Sequence, residues 1–170
     1  MMEEKGKIGV FLCNCGKRLA EKIDFSVLAE AARGNPDVAF VTETELLCQP
    51  EGLKLLAEHA KTRGADRIVI AACSPRLFED RFASAAAGAG VNPEMVRVCN
   101  IREQCAWLIE DKAYATEAAR KSVAAGLGRS RLSIPIEEQE VEVQKKVLVI
   151  GGGVAGMTAA LTVAEPAYGT

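Results

Sequence analysis

The feature that most restricts how this chain can fold is an apolar, β-branched run that ends in a cysteine and then recurs. Residues 7–16 read KIGVFLCNCG, and residues 68–76 read IVIAACSPR, so Cys13 and Cys73 occupy matching places. Two further runs behave alike: residues 38–47 lead to Cys48 and residues 95–98 lead to Cys99. Each run is short enough to be a buried strand, and after Cys73 the residues Ser74 and Pro75 offer a helix start. The carboxyl edge of an open α/β sheet is where ligands bind, so these thiols are expected along one functional rim.

Between the runs lie helical patterns. Asp24 stands as an N-cap before Phe25, Leu28, Ala29 and Ala32, which share one helical face. Residues 17–23, just before it, look polar and unpatterned. Pro50 suits a first helical turn, Leu53, Leu56, Ala57 and Ala60 form a stripe, and Gly64 closes it. A third helix is expected over 75–87, with Leu77, Phe78 and Phe82 as its large apolar residues. Asn100 followed by Glu103 resembles a capping box, opening one long helix from Ile101 to about Ala125. Strand and helix thus alternate four times at intervals near a βαβ unit, which predicts an α/β fold. The expected architecture is an open parallel sheet of about four strands with right-handed connections and helices on both faces.

The text changes after residue 127. Residues 128–144 carry charges in blocks and one proline, and are expected to be a linker, extended against a neighbour. Residues 145–150, KKVLVI, form a strand candidate running straight into Gly151, Gly153 and Gly156 and a helical run. That is the G-x-G-x-x-G dinucleotide fingerprint in its strand-turn-helix setting. Gly151 serves the tight turn, Gly153 the approach of a pyrophosphate and Gly156 the packing of helix on strand. The sequence stops at Thr170, before a second strand or the acidic residue that would hold a ribose, and Pro166 falls where the helix should continue. The expected division is therefore a cysteine-rich domain over 1–127, a linker over 128–144 and a truncated Rossmann-type βα unit over 145–170.

Composition narrows the chemistry. The chain is 49% hydrophobic and 26% charged with a net charge of −2, which argues against nucleic acid as a partner. No apolar stretch is long enough to span a bilayer, and the first residues resemble no signal segment, so a cytoplasmic location is expected. In that compartment six cysteines read as thiols or metal ligands rather than disulfides. Disulfide exchange lacks its C-x-x-C motif, and zinc ordinarily draws on paired C-x-x-C knuckles. Scattered single cysteines gathered by a fold suit an iron-sulfur cluster better. For a [4Fe-4S] centre the expected ligands are Cys15, Cys48, Cys73 and Cys105, with Cys13 in reserve and Cys99 as core. Arg76 and Arg102 are candidates to offset its negative charge. Trp107 is expected in the core beside Cys105, and His59 exposed on its helix. A metal-free docking domain and a zinc-stabilised domain remain as alternatives.

The segments GVFLCNCG, VIAACSPR and NIREQCAW, with Cys48 between them and VLVIGGGVAGMTAAL after the linker, together resemble the amino-terminal part of the heterodisulfide reductase A-subunit family. The resemblance implies an iron-sulfur domain followed by an FAD domain, with FAD bound only in the full-length protein through Gly151, Gly153 and Gly156. It also implies Cys13, Cys15, Cys48, Cys73 and Cys105 as the cluster cysteines. Electron transfer or flavin-based bifurcation would take place beside heterodisulfide reductase B/C-like, hydrogenase or formate dehydrogenase subunits. The oligomeric state is left open, a homo-oligomer included. A piece of this length, fragment or short form, is not expected to catalyse a reaction unaided.

Overall fold

The computed structural model describes residues 7–137 and 139–164. The chain divides into two units, one running to Ile136 and the other beginning at Glu137.

In the first unit four strands, β1 (Ile8–Cys13), β2 (Val38–Thr44), β3 (Arg67–Ala72) and β4 (Val96–Asn100), form one sheet in the order β2-β1-β3-β4. All three pairings are parallel. The central strands β1 and β3 are buried on both faces, which is why they read as unbroken apolar runs, whereas β2 and β4 at the edges mix buried and open positions.

Handedness assigns the helices to their faces. The step from β1 to β2 moves one way along the sheet, and the steps from β2 over β1 to β3 and on to β4 move the other way. Right-handed crossovers therefore put α1 (Phe25–Arg33) on one face and α2 (Pro50–Arg63) and α3 (Pro75–Ala87) on the other. The core is split in the same sense. Ile8, Val10, Leu12, Val69 and Ala71 pack with α1 and with the last helix of the unit, α4 (Lys112–Leu132), and Phe11, Ile68, Ile70 and Ala72 pack with α2 and α3. As expected, Asp24 caps α1 by accepting from Ser26 N–H at 3.0 Å, and Phe25, Leu28, Ala29 and Ala32 are its buried face.

Four expectations need correction. Residues 17–23 are turns, but Leu19 and Ile23 are buried in the α1 face of the core. The single long helix after β4 is two elements. Asn100 Oδ1 does accept from Glu103 N–H at 3.0 Å, yet the residues beyond it form one π-type turn, Arg102–Ala106. The chain then breaks, and α4 starts afresh with Asp111 accepting from Tyr114 N–H at 2.9 Å. The apolar spacing across Trp107 to Ile109 mimics a continuing helix, but the Asp111 carboxylate competes successfully as a new cap. His59 is half-buried, its Nδ1 2.9 Å from Thr42 Oγ1, in a ring cluster with Phe11 and Phe40. Burial first, then the charge of Arg63, holds its pKa below the ordinary imidazole value.

In the second unit residues 145–150 are not strand-paired, the fourth correction. A strand exists only against a neighbour, and no described residue supplies one. The turn after them has Gly151 at φ +116°, and α5 (Val154–Ala164) begins directly after Gly153. Pro166 lies outside the described residues. None of the helices described is long and apolar enough to cross a membrane.

Candidate metal centre

The site is built where β1 and β3, adjacent strands whose connections leave in opposite directions, both end. This is the switch point of the sheet, the place where an open parallel sheet parts to admit a ligand. Side-chain alternation turns Leu12 to the α1 face and Cys13 to the α2 face. There the Cys13 thiol donates to Glu45 O and accepts from Leu47 N–H, both at 3.4 Å, so it clamps the loop after β2 onto the end of β1. Asn14 N–H to Thr44 O at 2.9 Å and Gly16 N–H to Glu45 O at 2.7 Å extend that clamp.

Cys15, Gly16 and Lys17 are all left-handed, at φ +55°, +65° and +70°. For Cys15 and Lys17 this conformation costs of the order of 1 kcal/mol each, strain of the kind found at working sites. Asn14 Oδ1 restrains the turn by accepting from Lys17 N–H at 2.8 Å. The Cys15 thiol, half-buried, receives Arg102 Nη1 at 3.6 Å. Arg102 is in turn held by Glu103 Oε1, 3.0 Å from Nε and 2.7 Å from Nη2, and by the Trp107 ring, whose centre is 4.9 Å from the guanidinium carbon.

Cys73 is the first residue beyond β3. Its thiol is pushed up to about 11, chiefly by burial and further by Cys48 and Cys13, while the Arg102 charge opposes the rise. Burial likewise raises Cys13, which senses Cys15 and Cys48. Electrostatic interaction thus ties Cys13, Cys15, Cys48 and Cys73 into one group with Arg102 on its flank. Cys105 is buried in the α1 and α4 core, against which Cys15 also packs. Its pKa is raised by burial, and the thiol it interacts with is Cys99. Cys99 is buried in β4, as expected of a core residue. All six cysteines are free thiols.

Arg76, the other candidate cation, is exposed on the first turn of α3. Trp107 is not core: 67% of it is exposed, and it covers Arg102 rather than Cys105. A tryptophan beside a cysteine suggested packing, and only the break after Ala106 shows why it faces outward. Among the described residues no three Cys, His, Asp or Glu side chains converge on the position of a single metal ion. The rim presents a spaced set of thiols, of which Cys13 and Cys73 lose their protons with difficulty, beside one fixed cation.

In the second unit Gly156 presses on the turn, since a Cβ there would run into Gly151 O, whereas nothing lies within 4 Å of one added at Gly153. The first contact fits close packing of helix on turn.

No family profile matches the chain. Curated relatives do. A heterodisulfide reductase A-subunit-like protein of Archaeoglobus profundus is 38% identical over 99% of this chain and 24% of its own length. The second CoB-CoM heterodisulfide reductase iron-sulfur A-subunit of Methanopyrus kandleri is 37% identical over 99% of this chain and 26% of its own. The A-subunit of the H(2):CoB-CoM heterodisulfide,ferredoxin reductase of Methanothermobacter marburgensis is 36% identical over 98% of this chain and 26% of its own. The chain spans about a quarter of the length of the curated relatives it matches. Near-complete coverage at this identity, over a sheet edge built by the same cysteine-bearing segments that carried the resemblance, places the chain in the heterodisulfide reductase A-subunit family.

Proposed function

We propose that the first unit is an electron-transfer module, the amino-terminal iron-sulfur domain of a flavin-dependent, heterodisulfide-reductase-like oxidoreductase of the cytoplasm. The observation that carries this reading is the gathering of thiols at the sheet's switch point beside Arg102. Cys15, Cys48, Cys73 and Cys105 hold a [4Fe-4S] cluster, with Cys13 as the reserve ligand. A cluster has a body of its own, so its thiolates stand apart around it. That suits a rim where no three donors meet at one ion better than zinc does.

When bound, such a centre supplies storage of one electron. The chain's own work is to hold it, to set Arg102 against its negative charge, and to exclude water with buried Cys13 and Cys73. Because burial raises the ligands Cys73 and Cys105, loading releases protons and is favoured by higher pH. Residues 145–170 begin an FAD domain, with Gly151, Gly153 and Gly156 at the pyrophosphate turn. Electrons pass between this module and other redox subunits, of heterodisulfide reductase B/C, hydrogenase or formate dehydrogenase type, and bifurcation belongs to that full complex.

Anaerobic reconstitution with iron and sulfide tests the reading. A brown protein is expected whose iron content, and whose EPR signal after reduction, fall in Cys73→Ala and Cys105→Ala. Unchanged iron in both variants overturns it. Full stability without metal, and unaltered assembly with every cysteine changed to serine, would instead mark an α/β docking domain.

A further inference from the structure

The sheet of the first unit ends at β4, whose outer side has no strand partner among the described residues. Ile101 N–H turns inward to Ala72 O at 2.9 Å. Main-chain groups alternate sides along a parallel strand, so those of Val98 and Asn100 point outward. A cavity of about 350 Å³ runs along this edge between α3 and α4. Glu79 stands on its α3 wall, Ser122, Gly126 and Arg129 on its α4 wall, and Gln104 at the end nearer the thiols.

Arg97 also lines it, from β4 itself. Its Nη1 donates to Val96 O and its Nη2 to Ser133 Oγ, each at 3.2 Å, while Nε is buried with no partner. Exposed edges are usually spoiled by a bulge, a proline or a covering segment. The opposite edge obeys that rule, for the register of β2 against β1 skips Ala39. Strand β4 is short and carries the charged Arg97, but it has neither a register break nor a proline, and its outer groups at Val98 and Asn100 are left to a partner. Charge differs between the walls, with Arg97 and Arg129 on the α4 side and Glu79 on the α3 side. Successive residues of an entering strand face opposite walls, so its carboxylates belong at alternate positions.

We propose that the open edge of β4 is a docking groove for an extended acidic segment of a partner protein. The segment adds to the sheet as a fifth strand, bonded to Val98 and Asn100 and with its carboxylates on Arg97 and Arg129. Main-chain bonds supply affinity in such strand addition, and the side-chain walls supply selectivity.

The test follows amide hydrogen exchange in the full 170-residue chain while a blocked peptide alternating glutamate and valine is added, with a lysine and valine peptide as control. The acidic peptide is expected to slow exchange at Val98 and Asn100 by about ten-fold at saturation, and the basic one to leave it unchanged. Arg129→Glu should weaken the acidic peptide about ten-fold. Val98→Pro, tolerable where an edge N–H faces outward, should weaken it as well. If Val98→Pro does not fold, Arg129→Glu decides alone. Equal binding of both peptides, protection along β2 instead, or no protection at millimolar acidic peptide overturns the proposal.

Discussion

The thiols Cys13, Cys73, Cys99 and Cys105 are raised by burial more than by any charge near them. Cys99 shows the effect away from the proposed ligands. It is 8% exposed, and its thiol is pushed from 9.0 up to about 11, chiefly by burial, with the Ser122 hydrogen bond opposing and Cys105 adding to the rise. The folded protein therefore keeps this proton when the unfolded chain has lost it. The stabilisation is complete below pH 9 and is withdrawn as pH climbs towards 11, by roughly 3 kcal/mol for a shift of that size. Urea unfolding of metal-free protein at pH 7, 9 and 11 should show wild type losing that much more stability than Cys99→Ala over the range. Parallel losses in the two proteins would mean that Cys99 does not carry the effect. Cys99 also lies so close under α4 that a Cβ at Gly126 would strike its sulfur.

At the scale of elements, the placement of Cys48 depends on how closely α2 approaches the loop before it. Gly52, buried in the first turn of α2, faces Leu46 O and the Leu47 backbone, and an added Cβ would lie 2.6 Å from Leu47 Cα. Backbone cannot step aside as a flexible side chain does, so Gly52→Ala must push the loop outward and take Cys48 with it. A destabilisation of about 1–3 kcal/mol is expected, together with lower iron uptake on reconstitution. Normal stability and iron would show that the loop yields freely. Such close approaches are not legible in the sequence, where Gly52 is one glycine in a helical pattern. The helices and strands themselves were legible, because Phe25, Leu28, Ala29 and Ala32, or the six residues of β3, carry their periodicity openly. The cysteines could be placed at strand ends for the same reason. The features that escaped were tertiary: the outward turn of Trp107, the half-buried His59 and the bonds from Cys13 to the loop after β2 depend on neighbours distant in the chain. The unpaired run at 145–150 escaped for the converse reason, since its apolar residues announce a strand that needs partners to exist.

For the molecule as a whole, stability should reside in the first unit. The two bodies of core residues contain nothing beyond Leu127, and no described residue from Glu137 onward is buried. In the second unit Leu148 is 83% and Ile150 89% exposed, and the hydrophobic α5 has no buried side chain. Burial of apolar surface is the main favourable contribution to folding, and the core of the first unit is built without residues 137 and 139–164. A chain ending after Ile136 should unfold at the same urea midpoint as the full chain, to within about 0.5 kcal/mol in stability. It should also bind as much iron, because every cysteine lies before that point. The slope of the transition should be nearly unchanged as well, since that slope follows the surface newly exposed on unfolding. A clear fall in midpoint would show that the later residues brace the thiol-bearing sheet, and the glycine turn at 151–156 would then have to be counted as part of the same cooperative structure.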